Sequence, residues 1–231
     1  MTLIVGLHGK DAIVVASDSR VYFKDEKKVT CHDDNSKKIY IVRNVAICGA
    51  GAAYTNKLVD EIEKTTKVGV TDIMNEITRV ANETFDEWFP DFPLFPLPNQ
   101  SPDFVRPRLE LSIAGYDLVE TQSTRRIYIM NSAYRFVSVR YDDRFSVSGV
   151  PQYARCLLDL LYSENMETEV LERLAAYVIT KTKTQNDEVG GRVQMVTITP
   201  GGAIRLEDEK INSIILENED RAKKLKEIFI L

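Results

Sequence analysis

Three positions near the start of the chain carry groups that can move protons or attack carbon: Thr2, Asp18 and one of the pair Lys37-Lys38. A threonine hydroxyl is a weak nucleophile unless a base takes its proton, and a free α-amine on the same residue can be that base. The α-amine has a reference pKa of about 8, so a modest downward shift leaves much of it neutral at pH 7. A nearby ammonium supplies such a shift. With threonine in second place, loss of the initiator Met1 is expected, and no propeptide cleavage is then required. Many unrelated chains begin Met-Thr, so Thr2 acquires meaning only from its neighbours.

Those neighbours are set by strands. Thr2 to Leu7 and Ala12 to Ser17 are apolar segments around the polar turn His8-Gly9-Lys10-Asp11, the pattern of a β-hairpin. Its second strand ends at Ser17-Asp18-Ser19-Arg20, which can bring Asp18 back beside Thr2. Two lysines lead into the strand Lys38 to Val42, and alternation requires one of them to point inward. An inward lysine is costly unless paired, and Asp18 is a candidate partner. The plainer alternative leaves Asp18 capping a turn and both lysines solvated; periodicity does not choose between the two.

The remaining elements follow the same logic. Val21 to Asn35 is highly charged and reads as an exposed ribbon or loop. Val45 to Cys48 pairs with the strand from Lys38, and Gly49-Ala50-Gly51-Ala52-Ala53 leads into a helix through about Lys64. Ile73, Ile77, Val80, Ala81, Thr84 and Trp88 share one face of a second helix, which Pro90 ends. Six prolines fall between Pro90 and Pro107, among Phe92, Phe95 and Phe104, which rules out helix or central strand there. Strands are predicted at Leu109 to Tyr116, Ile127 to Met130, Tyr134 to Val139 and Phe145 to Ser148. Helices follow from Pro151 and over Glu167 to Thr182, the latter broken by Gly190-Gly191. Val193 to Thr199 and Ala203 to Leu206 are final strands before a terminal helix. Two sheets between helical layers accommodate this order.

At this point the chain resembles a family. Thr2-Leu-Ile-Val-Gly-Leu-His-Gly-Lys-Asp-Ala-Ile-Val-Val-Ala-Ser-Asp-Ser-Arg20 is similar to the opening of mature proteasome β subunits and their bacterial relatives. Asn-Ser-Lys-Lys38-Ile, Ile-Cys-Gly49-Ala-Gly, Ser-Val-Ser148-Gly149 and Gly190-Gly191-Arg-Val match later blocks in the same order. The resemblance implies the four-layer α/β/β/α sandwich of N-terminal nucleophile hydrolases, one domain over residues 1–231 with an insertion at about 90–107. It also implies roles. Thr2 is nucleophile and amine, Lys38 lowers the amine's pKa, and Asp18 pairs with that lysine. Gly49 offers an oxyanion-hole N–H, and Ser148 hydrogen-bonds near the amine. The family's aspartate falls at Asn186 in a gapless match, with Asp187 able to substitute if the loop shifts by one; its serine falls at Val189. The implied activity is a threonine peptidase in a homo-oligomeric ring that admits unfolded polypeptide, with an ATP-dependent unfoldase as a possible partner. An acyl transferase or a non-catalytic ring subunit would share these motifs.

Composition bounds the alternatives. The 231 residues are 44% hydrophobic and 28% charged, with net charge -5. An acidic chain of pI near 5.3 lacks the basic face that a nucleic-acid partner needs. Cys31, Cys48 and Cys156 are too few and too scattered for a disulfide framework, and Cys31-His32 has no second pair for zinc. Gly49-Ala50-Gly51 lacks the rest of a phosphate loop, and Ser148 is not in a nucleophile elbow. No cofactor or metal is expected. With no apolar run of membrane-spanning length and no signal-like opening, a cytoplasmic location is expected.

Overall fold

The computed structural model describes residues 2–25, 28–51, 54–93, 107–119, 122–141 and 144–230. Its strands are β1 (Leu3–His8), β2 (Ile13–Ser17), β3 (Val21–Asp25), β4 (Lys28–Asp33), β5 (Ile39–Val42) and β6 (Val45–Gly51), then β7 (Leu109–Val119), β8 (Gln122–Asn131), β9 (Ser138–Tyr141), β10 (Phe145–Gly149), β11 (Gln194–Thr199) and β12 (Gly202–Arg205). The helices are α1 (Thr55–Ile62), α2 (Val70–Trp88), α3 (Pro151–Leu161), α4 (Thr168–Lys183) and α5 (Asp208–Ile230). Most of the Pro/Phe-rich segment anticipated at 90–107 lies outside the described residues.

Ten strands form two antiparallel sheets, one ordered β10-β1-β2-β11-β12 and the other β5-β6-β7-β8-β9, with β3 and β4 a separate two-stranded ribbon. Every residue of β1 and β2 is buried, so both faces of this hairpin are covered. Alternation divides their side chains between two cores. Leu3, Val5, Leu7, Val14 and Ala16 join Met195 and the apolar faces of α3, α4 and α5. Ile4, Ile13 and Val15 join Ile39, Ala46, Cys48, Ala114 and Ile127 in a cluster shared by the two sheets. A third cluster sets β6, β7 and β8 against α1 and α2. The site described next lies at one end of the shared cluster.

Two expectations are corrected. The strand anticipated at Tyr134 to Val139 begins only at Ser138, after a 3-10 turn over Ser132–Tyr134. The Asn131 side chain accepts from Ala133 N, while Arg135 and Phe136 take left-handed backbone conformations. Phe136 thereby drops into the core against Phe85, their ring centroids 5.1 Å apart. The helix anticipated over Glu167 to Thr182 is α4, but what ends it at Lys183 is not Gly190-Gly191. The backbone N–H groups of Gln185 and Asn186 both turn back to the Thr182 carbonyl, and Asn186 Oδ1 accepts from Glu188 N. Local polar hydrogen bonds terminate the helix before glycine is needed.

Candidate active site

Thr2 is 3% exposed and lies just ahead of β1. It shares the strand face of Ile4, so its side chain is directed toward the cluster between the sheets. Its carbonyl accepts from Val150 N at 3.1 Å. Gly149 between Ser148 and Val150 has φ 86, and a Cβ there would overlap the Thr2 carbonyl oxygen. Only glycine allows β10 to close so tightly beside Thr2.

Lys38, not Lys37, is the inward lysine. It is 8% exposed, and its Nζ donates to Thr2 Oγ1 at 2.6 Å. Burial holds its pKa below the ordinary lysine value, against the opposing pull of Asp18 and then Asp33. Asp18 is fully buried, but the expected ion pair with Lys38 is replaced by backbone contacts. Oδ1 accepts from Leu3 N at 2.9 Å, and Oδ2 accepts from Gly190 N at 3.0 Å and Arg20 N at 3.3 Å. Asp18 thus ties the end of β2 to the start of β1 and to the glycine pair, and acts on Lys38 through space. Burial raises its pKa, opposed by the Gly190 and Leu3 N–H groups and by Lys38. The dry surroundings push both members of this pair toward their neutral forms.

Register explains what else faces Thr2. Ile4 lies opposite Ser148 on β10 and opposite Ser17 on β2, and Ser17 lies opposite Gln194 on β11. Cross-strand partners share a face, so a row Ser148–Ile4–Ser17–Gln194 runs across the sheet one step inside Thr2. The Ser17 and Ser148 hydroxyls are buried without a hydrogen-bond partner. Buried hydroxyls are normally satisfied, so among the described residues this pair is a polar surface without a counterpart. On the facing sheet, β5 pairs with β6 only as far as Cys48, while β7 continues beside Gly49 to Gly51. One backbone edge of Gly49 to Gly51 is therefore without a β5 partner. A Cβ on Gly49 would collide with the Thr55 hydroxyl at the start of α1.

Asp187 is not gathered into this set. Its side chain is exposed, and its backbone carbonyl does the work, accepting from Arg20 Nη1 at 2.9 Å and from the Tyr22 hydroxyl. Asn186 caps its own turn, and Val189 is buried in the helix-side core where a serine would have offered a hydroxyl. Arg20 forks onto Asp34, 2.6 Å from Nε to Oδ1 and 2.9 Å from Nη2 to Oδ2, and its guanidinium lies against Gly190. Sequence reading misses Ser17 and Gln194. Their only signal is a polar residue on the inner face of an otherwise apolar strand.

Among the described residues, no group of His, Cys, Asp and Glu is arranged to hold a metal ion, and no helix is long and apolar enough to cross a membrane. No protein-family description matches the chain, and no curated protein sequence is significantly similar to it. Its fold is similar to a solved structure, Anbu (ancestral beta-subunit) from Yersinia bercovieri, with a TM-score of 0.73 over 99% of this chain and 96% of that one, at 14% sequence identity. The chain thus has a mixed α/β fold similar to that of Anbu.

Proposed function

We propose that this chain is a threonine-type amide hydrolase whose nucleophile is Thr2 after removal of Met1. The observation that carries the reading is the 2.6 Å contact between a buried lysine ammonium and the Thr2 hydroxyl. A lysine taken out of water and set on a neutral hydroxyl has no structural use that an apolar side chain would not serve better. In the proposed reaction the Thr2 α-amine accepts the hydroxyl proton while Lys38 stabilises the developing alkoxide. Oγ1 attacks the substrate carbonyl, and the oxyanion is met by backbone N–H on the open edge at Gly49. The α-ammonium then protonates the leaving amine, and water resolves the ester on Oγ1. Asp18 fixes the strand ends and biases Lys38 toward its charged form. Ser148 supplies a hydroxyl for the amine.

The three cores support a single domain stacked as helices, sheet, sheet and helices. The likeness to a protein titled a beta-subunit supports assembly with further subunits, and a homo-oligomeric ring that admits unfolded polypeptide extends that reading. Val189 and the exposed Asp187 favour a second reading, a ring subunit with weak or no turnover, because amine support then falls to serines alone.

The test is intact mass before and after a threonine-directed β-lactone or epoxyketone. Loss of Met1 and one adduct, absent in Thr2→Ala, is the expected result. A retained Met1, or an adduct that survives Thr2→Ala, would remove Thr2 as nucleophile. Clean Met1 loss with no adduct would favour the inactive subunit.

A further inference from the structure

Lys38 projects from the segment that precedes β5, an edge strand of its sheet. Residues 35–38 have no strand pairing of their own, so nothing in the ladder fixes the backbone that aims the lysine. Ser36 is tied by its N–H to the Ser19 carbonyl at 3.1 Å and by its hydroxyl to Asp33 Oδ2 at 2.7 Å. Two side chains from the other sheet hold the edge on either side of Lys37 and beyond. The Gln194 carboxamide accepts from Lys38 N with Oε1 at 3.0 Å and donates from Nε2 to the Ser36 carbonyl at 2.7 Å. One residue further along, Arg205 Nη2 donates to the Ile39 carbonyl.

The Gln194 contacts are directional. An amide offers one acceptor and one donor side by side, the two kinds of group that a neighbouring strand presents to an edge. Gln194 therefore stands in for a missing strand at the residue that must be placed best. Its own position is rigid: it begins β11, opposite Ser17, and Val196 and Ile198 on the same face are fully buried between the sheets.

We infer that Gln194 is a positioning residue of this site, one that brackets the backbone on both sides of Lys37 and so sets the Lys38 ammonium on the Thr2 hydroxyl. The inference rests on the proposed role of Thr2, and it concerns geometry that can be measured whether or not turnover is found. Lys38 is long and flexible, and its 2.6 Å contact tolerates little movement of its Cα. Displacements of about 1 Å at such contacts cost on the order of 100-fold in rate. Asp18 and Asp33 are the charges that act on Lys38, and neither is bonded to Gln194.

The experiment compares wild type with Gln194→Met, which keeps length and loses both hydrogen bonds, and Gln194→Glu, which keeps the acceptor for Lys38 N–H and loses the donor to Ser36. Two readouts are taken: the rate of Thr2 acylation by a β-lactone, split into initial binding and chemistry, and titration of the Lys38 Nζ resonance in selectively labelled protein. Expected are a fall of about 10- to 100-fold in the chemical step for Gln194→Met with initial binding unchanged, and a smaller fall for Gln194→Glu. The Lys38 titration should move up toward the ordinary lysine range in Gln194→Met as the ammonium leaves its dry contact. A merely structural glutamine would lower thermal stability while leaving that titration in place. An unmoved titration with an unchanged chemical step overturns the inference. If wild type is inert to the lactone, the hydrolase reading fails, and the titration alone still decides whether Gln194 holds Lys38. Should Gln194→Met not fold, the neutral and shorter Gln194→Asn carries the same comparison, because the carboxylate of Gln194→Glu would by itself raise the Lys38 titration.

Discussion

Lys38 and Glu172 are both charged side chains withdrawn from water, and they sit on opposite sides of the same sheet. Glu172, on the α4 face that covers β11, is 3% exposed, yet its charge is answered fully. Thr197 donates to Oε1 at 2.7 Å, and Lys210 of α5 stands 2.8 Å from Oε2. The carboxylate becomes a strut joining α4, β11 and α5. On the inner side, Lys38 meets a neutral hydroxyl, and the one buried carboxylate near it has its oxygens committed to backbone N–H groups. Burying an ion costs several kcal/mol even after relaxation, so an ion left without a counter-charge lowers stability. Compensated burial builds a scaffold; uncompensated burial stores a difference between protonation states, which is what proton transfer uses.

Substitution should separate the two. Lys38→Met is expected to slow acylation of Thr2 by about 1,000-fold or more, within the range of lost acid–base and charge stabilisation. It should leave stability unchanged or raise it by about 1 kcal/mol in urea unfolding, because an unpaired buried ammonium is replaced by an apolar chain. Equal loss of stability and activity would break the contrast. Glu172→Ala should do the reverse. Acylation is unchanged, while unfolding is easier by about 2 kcal/mol as the Thr197 hydroxyl loses its acceptor and α4 its tie. Lys210→Met should cost about 1 kcal/mol, since Lys210 is itself 56% exposed and its half of the bond is screened.

The legible and illegible parts of the site divide along the same line. Thr2, Asp18 and an inward lysine were legible only as candidates: a hairpin can return Asp18 to Thr2 and alternation can turn one lysine inside. A capped turn with solvated lysines fits the same periodicity, and the resemblance decided between them. Choosing Lys38 over Lys37 required a resemblance, since both satisfy the alternation until the strand's start is known. Gln194 was illegible because β11 reads as an ordinary strand, and its partners lie more than 150 residues away in the chain. Asp187 misled for a related reason. A carboxylate at a family spacing attracts attention, but the loop after α4 turns on Thr182 and Asn186 and presents the Asp187 carbonyl instead. Side-chain type is visible in a sequence; which face of a loop is offered is decided by its hydrogen bonds.

The smallest effect, and the most specific, is in the pH dependence of stability. Lys38 has its folded pKa lowered by burial, so below the ordinary value of 10.5 the unfolded chain holds this proton more strongly than the native one. Stability should therefore rise with pH from the folded pKa up to that value, relative to Lys38→Met. Asp18 has its folded pKa raised from 3.8, so its contribution is fully present below 3.8 and is lost as pH rises through the folded pKa. Wild type should then gain on Asp18→Asn as the pH is taken down through the acid range. The two slopes have opposite signs because one burial disfavours a cation and the other an anion. Unfolding free energies of the three proteins across pH would show it; a wild-type curve parallel to both variants would mean that neither group is desolvated, and the distinction from Glu172 would disappear.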